Sequence, residues 1–226
     1  MVKDEEELHR LQRAFREVLD AYARPGTVHR IEAMPENAAR PAEMDGCLET
    51  AVRLLVDQAV TFCVADAAPE AAAAYIADET HARRRAASDA DYLVVLPRGA
   101  AEDEERAVRE ARPGTPVSPE TGATVVVGCS RLAAWPAQGE AGFAGSLHVV
   151  EVRGPGVRDA NRFLVDRADW VAARAGRRDE FPCGVEIMLV DGEGRMVAVP
   201  RSAAVTVVPK PAPVPVPEQA SAQEVC

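Results

Sequence analysis

Apolar side chains recur at Leu8, Leu11, Phe15, Val18, Leu19 and Tyr22, a helical spacing that predicts an amphipathic helix over residues 4–23. Pro25-Gly26 follows, the pair that commonly lies beyond a last helical turn. A second helix is expected from Leu48 to Val56, and Thr61-Phe62-Cys63-Val64 reads as a short buried strand. Ala67 to Ala77 is alanine-rich and helix-prone. Asp91 to Leu96 reads as a strand stopped by Pro97, and Ala101 to Ala111 as a charged helix. Ala123 to Gly128 and Leu147 to Val152 are apolar and β-branched, as strands are. Between Gly156 and Gly176 the residues Leu164, Ala168, Val171 and Ala175 are spaced by four, three and four, which predicts a long helix.

Toward the end, Val185 to Val190 and Arg195 to Val199 flank Asp191-Gly192-Glu193-Gly194, the pattern of a hairpin. Val205 to Val208 adds a further strand. Beyond it, Pro209-Lys210-Pro211-Ala212-Pro213-Val214-Pro215-Val216-Pro217 cannot pair in a sheet. The expected organisation is one α/β domain over residues 1–208, with a mixed sheet and helices on both faces, and a flexible tail over 209–226.

Composition narrows the function. Of the 226 residues, 47% are hydrophobic and 27% charged, the balance of a globular protein. No apolar run approaches the roughly 20 residues of a membrane span. The acidic start Met1-Val2-Lys3-Asp4-Glu5-Glu6-Glu7 lacks the apolar stretch of a secretory signal, so a cytoplasmic protein without a membrane partner is expected. The five cysteines are scattered without a C-x-x-C pair, as reduced thiols are. A net charge of -10 and 4% aromatic residues argue against nucleic acid as a partner.

The only lysines are Lys3 and Lys210. Chemistry that needs an amine on a rigid element, such as a pyridoxal-phosphate Schiff base or a phosphate-loop lysine, therefore has no place to sit. No cofactor is expected, and His9, His29, His81 and His148 are too dispersed in sequence to mark a metal site. Gly154-Pro155-Gly156 lies between a predicted strand and a predicted helix. It reads either as a small anion nest or as glycine permitting a sharp turn. In Thr115 to Thr124, Pro119 and Gly122 shape a turn at a strand entrance. There Glu120 reads as a base or as an acceptor for its own loop. Glu186 opens an apolar strand and needs a partner if buried; Arg201 is the expected one.

In order along the chain, these segments resemble the PhnH family of the bacterial carbon–phosphorus lyase system. The resemblance rests on Phe15-Arg16 with Pro25-Gly26, Leu54-Leu55 with Asp57, Thr61-Phe62, Thr80 and Ala90-Asp91. It continues through Gly114-Thr115, Pro119 to Thr124, Gly154-Pro155-Gly156, Phe181 to Gly184-Val185-Glu186, and Val199-Pro200-Arg201-Ser202. Asp78-Glu79-Thr80-His81 stands where the family tends to show Phe-His-Thr-Gly, Glu186 where aspartate is usual, and Ser202 where threonine is common. The resemblance implies a three-layer fold similar to the major domain of pyridoxal-phosphate-dependent transferases, without that cofactor. It also implies a homodimer that assembles with PhnG, PhnI and PhnJ. That system couples a phosphonate to C1 of the ribose of a nucleoside triphosphate and later cleaves the carbon–phosphorus bond by radical chemistry.

Two functions follow as expectations. One is a subunit with no catalytic residues of its own. The other is a stand-alone phosphate- or nucleotide-ester enzyme with Gly154-Pro155-Gly156 as cradle, Arg201 as clamp and Glu120 as base. Pro119, Gly122, Gly184 and Glu186 complete the candidate ligand or interface positions. The proline-rich tail is a further candidate, as a docking peptide.

Overall fold

A computed structural model describes residues 2–135 and 147–209. Beyond Pro209 the expected tail lies outside the described residues. Seven of the strands form one sheet. In chain order they are β1 (His29–Arg30), β2 (Thr61–Val64), β3 (Arg83–Arg84), β4 (Tyr92–Val95) and β5 (Thr124–Cys129), then β9 (Glu186–Asp191) and β10 (Arg195–Val199). Their spatial order is β1-β10-β9-β5-β4-β2-β3. From β3 to β9 the strands run parallel, whereas β10 and β1 pair antiparallel at one edge.

Alternation along the central strands explains both faces of this sheet. Leu93, Val95, Val125, Val127, Ile187 and Leu189 point to one side, and Val94, Val126, Met188 and Val190 to the other. The second set packs under α1 (Val2–Ala23), α2 (Gly46–Leu55) and α3 (Glu70–Thr80). Asp45 caps α2 by accepting the amides of Cys47 and Leu48, each at 2.8 Å. The first set packs against α4 (Ala101–Glu110), α5 (Asp169–Ala175) and a second sheet. That sheet is antiparallel, in the order β11-β7-β8-β6. Its strands are β6 (Leu132–Ala134), β7 (His148–Arg153), β8 (Asn161–Val165) and β11 (Ala204–Val208). The expected mixed sheet with helices on both faces is present, and the four-stranded sheet is an addition.

The long helix expected between Gly156 and Gly176 does not form. Its first half is β8, which pairs with β7 from Asn161 to Val165. Phe163 and Val165, both 0% exposed, face the main core, and Leu164 faces the opposite side with Ala133 and Val149. Burying each large side chain stabilises by roughly 1.5–3 kcal/mol. Helix propensity differs by less than about 1 kcal/mol per residue. Period two therefore wins, and only α5 remains helical.

On α1 the buried stripe is Ala14, Val18 and Ala21. Leu8, Phe15 and Leu19 from the predicted apolar pattern stay 54%, 50% and 54% exposed. Among the described residues no helix is long and apolar enough to cross a membrane.

Candidate functional site

Open α/β sheets usually hold ligands outside the carboxyl ends of their strands. Here that edge is filled by the protein's own side chains. Pro97 packs so closely on Gly128 that a Cβ there would lie 2.7 Å from the proline ring. Arg167 donates to Leu96 O at 2.8 Å and to Gly128 O at 3.3 Å, while its Nε meets Glu104 Oε2 at 2.8 Å. Glu104 Oε1 accepts the Trp170 amide at 2.9 Å. Burial pushes the Glu104 carboxyl up, with the Trp170 amide and Arg167 opposing. Asp191 is likewise committed, accepting Leu132 N at 2.9 Å and Arg195 Nε at 2.8 Å.

The opposite edge, where β4, β5 and β9 begin, collects most of the residues singled out from sequence. Asp91 Oδ2 accepts the Thr61 amide at 2.8 Å and the Thr61 hydroxyl at 2.6 Å, and Oδ1 accepts Arg112 Nη2 at 2.6 Å. Burial pushes this carboxyl up, but Thr61 and Arg112 more than reverse it, so it titrates below the ordinary aspartate range. Arg112 Nε also holds Thr121 O at 2.7 Å, which fixes the loop carrying Pro119 and Gly122. A Cβ on Gly122 would meet Gly184 O at 2.5 Å, and Gly184 N donates to Pro113 O at 2.8 Å. Two loops thus meet backbone to backbone, which leaves no room for a Cβ at Gly122, while Gly184 is held to glycine by its φ of +147°. Arg201 closes the group by donating from Nη1 to Pro119 O.

Three expectations change here. Arg201 does not pair with Glu186. The Glu186 carboxylate is half-buried and lies near the Tyr22 hydroxyl, whose pKa is raised by burial first and then by that carboxylate. Glu120 is exposed on the 3-10 turn Pro119–Thr121. That loop is held instead by Ser118 N to Thr115 Oγ1 at 3.0 Å and Gly122 N to Pro119 O at 3.1 Å.

Gly154-Pro155-Gly156 joins β7 to β8 and precedes no helix, so it lacks the helix start on which the anion nest depended. Its glycines serve close packing. With φ at +81°, a Cβ on Gly156 would come 2.7 Å from Ala23 O, and Gly154 lies against Ser202 and Ala203.

Beside the Gly184–Arg201 contact opens a cleft of about 290 Å³ between α5 and the turn after β10. Arg174, Arg177, Asp179, Cys183, Gly184 and Arg201 line it. Arg177 is paired with Asp179, Nε to Oδ2 at 2.5 Å. Arg174 Nη2 donates to Pro200 O at 2.7 Å and Ala203 O at 3.0 Å. Burial above all, and then Arg177, lower the Arg174 pKa to about 10, with Glu186 opposing. Sequence reasoning missed Arg174 because its partners lie 26 and 29 residues away, and helical spacing carries no trace of them. Cys129 is fully enclosed, and burial pushes its thiol well up. Among the described residues no three His, Cys, Asp or Glu side chains are grouped to hold a metal.

Several of the segments on which the family resemblance rests meet at this edge: Thr61-Phe62, Ala90-Asp91, Pro119 to Thr124, Gly184 and Arg201. A family model described as bacterial phosphonate metabolism protein (PhnH) matches residues 3–206. The chain belongs to the PhnH family. The family places it in phosphonate metabolism. No match was found among curated proteins.

Proposed function

We propose that the chain is a subunit of the carbon–phosphorus lyase core complex that supplies shape and contacts rather than a catalytic residue. In this reading it is cytoplasmic, forms a homodimer, and joins PhnG, PhnI and PhnJ in coupling a phosphonate to the ribose C1 of a nucleoside triphosphate. On the same reading its domain is a variant of the three-layer architecture of pyridoxal-phosphate-dependent transferases, without the cofactor; the central sheet covered on both faces supports it.

The observation that carries the reading is the exposed apolar stripe of α1. Leu8, Phe15 and Leu19 lie at spacings of seven and four along the helix, on one side and uncovered. Val117 and Phe181 add large exposed apolar side chains on the loops of the site edge. Apolar surface of this kind suits the buried centre of a protein interface. The ester-enzyme alternative is less well supported, because its glycine cradle sits in a β-hairpin and its Glu120 base is solvent-exposed.

Co-expression with the other three subunits tests the proposal. The full chain should co-purify with them as one large complex and turn over no phosphonate by itself. Elution as a separate species, or turnover by the pure chain, contradicts it.

A further inference from the structure

The uncovered side of α1 has the spacing of a helix-pairing seam. Leu8, Gln12, Phe15 and Leu19 follow one another by four, three and four residues, and all four are exposed. That alternation of four and three is the one at which one helix packs along another. A polar residue within such a seam, here Gln12, fixes its register at some cost in stability. From Leu8 to Leu19 the seam runs about 16 Å, or about three turns of helix.

The charges beside the seam are mostly engaged within the chain. Glu7 pairs with Arg53, Arg13 with Glu32, Glu17 with His29 and Asp20 with Arg24. Arg16 differs. It is exposed next to Phe15 and makes no hydrogen bond or ion pair among the described residues. In a chain whose net charge is -10, a free cation on the rim of an apolar stripe selects what may lie against it.

A second copy of α1 meets these demands poorly. Antiparallel, with Leu8 set against Leu19, each Arg16 comes opposite Leu11 with Arg10 and Arg13 as its nearest charges. Shifted so that Glu5 meets Arg16, the same pair puts Phe15 on Glu6 and Leu8 on Arg13. A parallel pair sets Arg16 beside Arg16. Each register forfeits either the apolar match or the charge match.

We propose that α1 docks an amphipathic helix of a different chain, about three turns long, with apolar side chains at alternating spacings of four and three and a carboxylate placed to reach Arg16. The proposal rests on the subunit reading and deepens it by stating what covers the stripe. Leu8, Phe15 and Leu19 supply the apolar contact, and the Arg16 fork supplies orientation.

Co-expression with PhnG, PhnI and PhnJ, with p-benzoylphenylalanine in place of Phe15, provides the test. After irradiation of the purified complex, mass spectrometry should map the cross-link to a segment of another subunit with that apolar spacing and a flanking Asp or Glu. Arg16→Glu should weaken assembly about fivefold or more, while Tm of the isolated chain stays within the range of a surface change. Reversing the charge of the cross-linked segment's acidic residue should restore assembly with Arg16→Glu. A cross-link to α1 of a second copy, a cross-linked segment without that spacing or carboxylate, or no cross-link in an assembled complex overturns the proposal. Full assembly of Arg16→Glu, or failure of the charge swap to restore it, does so too. A wild-type chain that elutes apart from the three subunits overturns the subunit reading itself; where wild type assembles, the other adverse results overturn this proposal alone.

Discussion

Replacing Glu104 by alanine tests whether the carboxyl edge of the sheet is closed by its own charges. The Glu104 side chain is 0% exposed, and Arg167, its partner at 2.8 Å, is 10% exposed. Truncation strips that cation of its counterion and leaves the buried Trp170 amide without its 2.9 Å acceptor. Breaking a buried pair from one side costs about 3–5 kcal/mol. An orphaned amide adds about 1 kcal/mol or more. Arg167 keeps its bonds to Leu96 O and Ala100 O, which offsets part of the loss, so about 3–5 kcal/mol in all is expected. For a chain of this size each kcal/mol lowers Tm by about 2–4 °C, giving a drop of about 6–20 °C. Thermal melting followed by circular dichroism, with urea unfolding alongside, reads it directly. A loss below about 1 kcal/mol, the range of an exposed ion pair, would refute the claim that this pair seals the edge.

At the opposite edge, Asp91→Asn should destabilise by about 1–3 kcal/mol at neutral pH, measured by urea unfolding. Because the folded-state pKa of Asp91 is depressed, its contribution is present above the unfolded value and is lost as pH falls through the folded one. Wild type and variant should therefore converge in acid. Gly156→Ala forces a Cβ to 2.7 Å from Ala23 O at a φ of +81°, so a loss of about 1–3 kcal/mol is expected in the same assay. Phe15→Glu should leave Tm within the range of a surface change, about 0.5 kcal/mol, while abolishing co-purification with the partner subunits.

β4, β5, β9 and β10 were legible because they are continuous apolar, β-branched runs buried on both faces, and the largely exposed β11 was legible from its β-branched composition. β1 and β3, at two residues each, are too short to show any period. Residues 156–176 misled because Leu164, Ala168 and Val171 match a helical spacing by coincidence, while the pairing partner of β8 is β7, beyond any local window. The site was half legible. Pro119 and Gly122 read as a turn at a strand entrance, and Pro119–Thr121 is a 3-10 turn directly ahead of β5. The arginine chemistry was not legible, since Arg174 owes its position to carbonyls on the turn after β10 and Arg201 reaches Pro119 rather than Glu186.

The most direct measurement is reconstitution of the four subunits with a nucleoside triphosphate and methylphosphonate, with product followed by ³¹P NMR and each subunit omitted in turn. The ribose-linked phosphonate should appear only when this chain is present together with PhnG, PhnI and PhnJ. Undiminished product in its absence, or product from this chain alone, would contradict a subunit that is required but not itself catalytic.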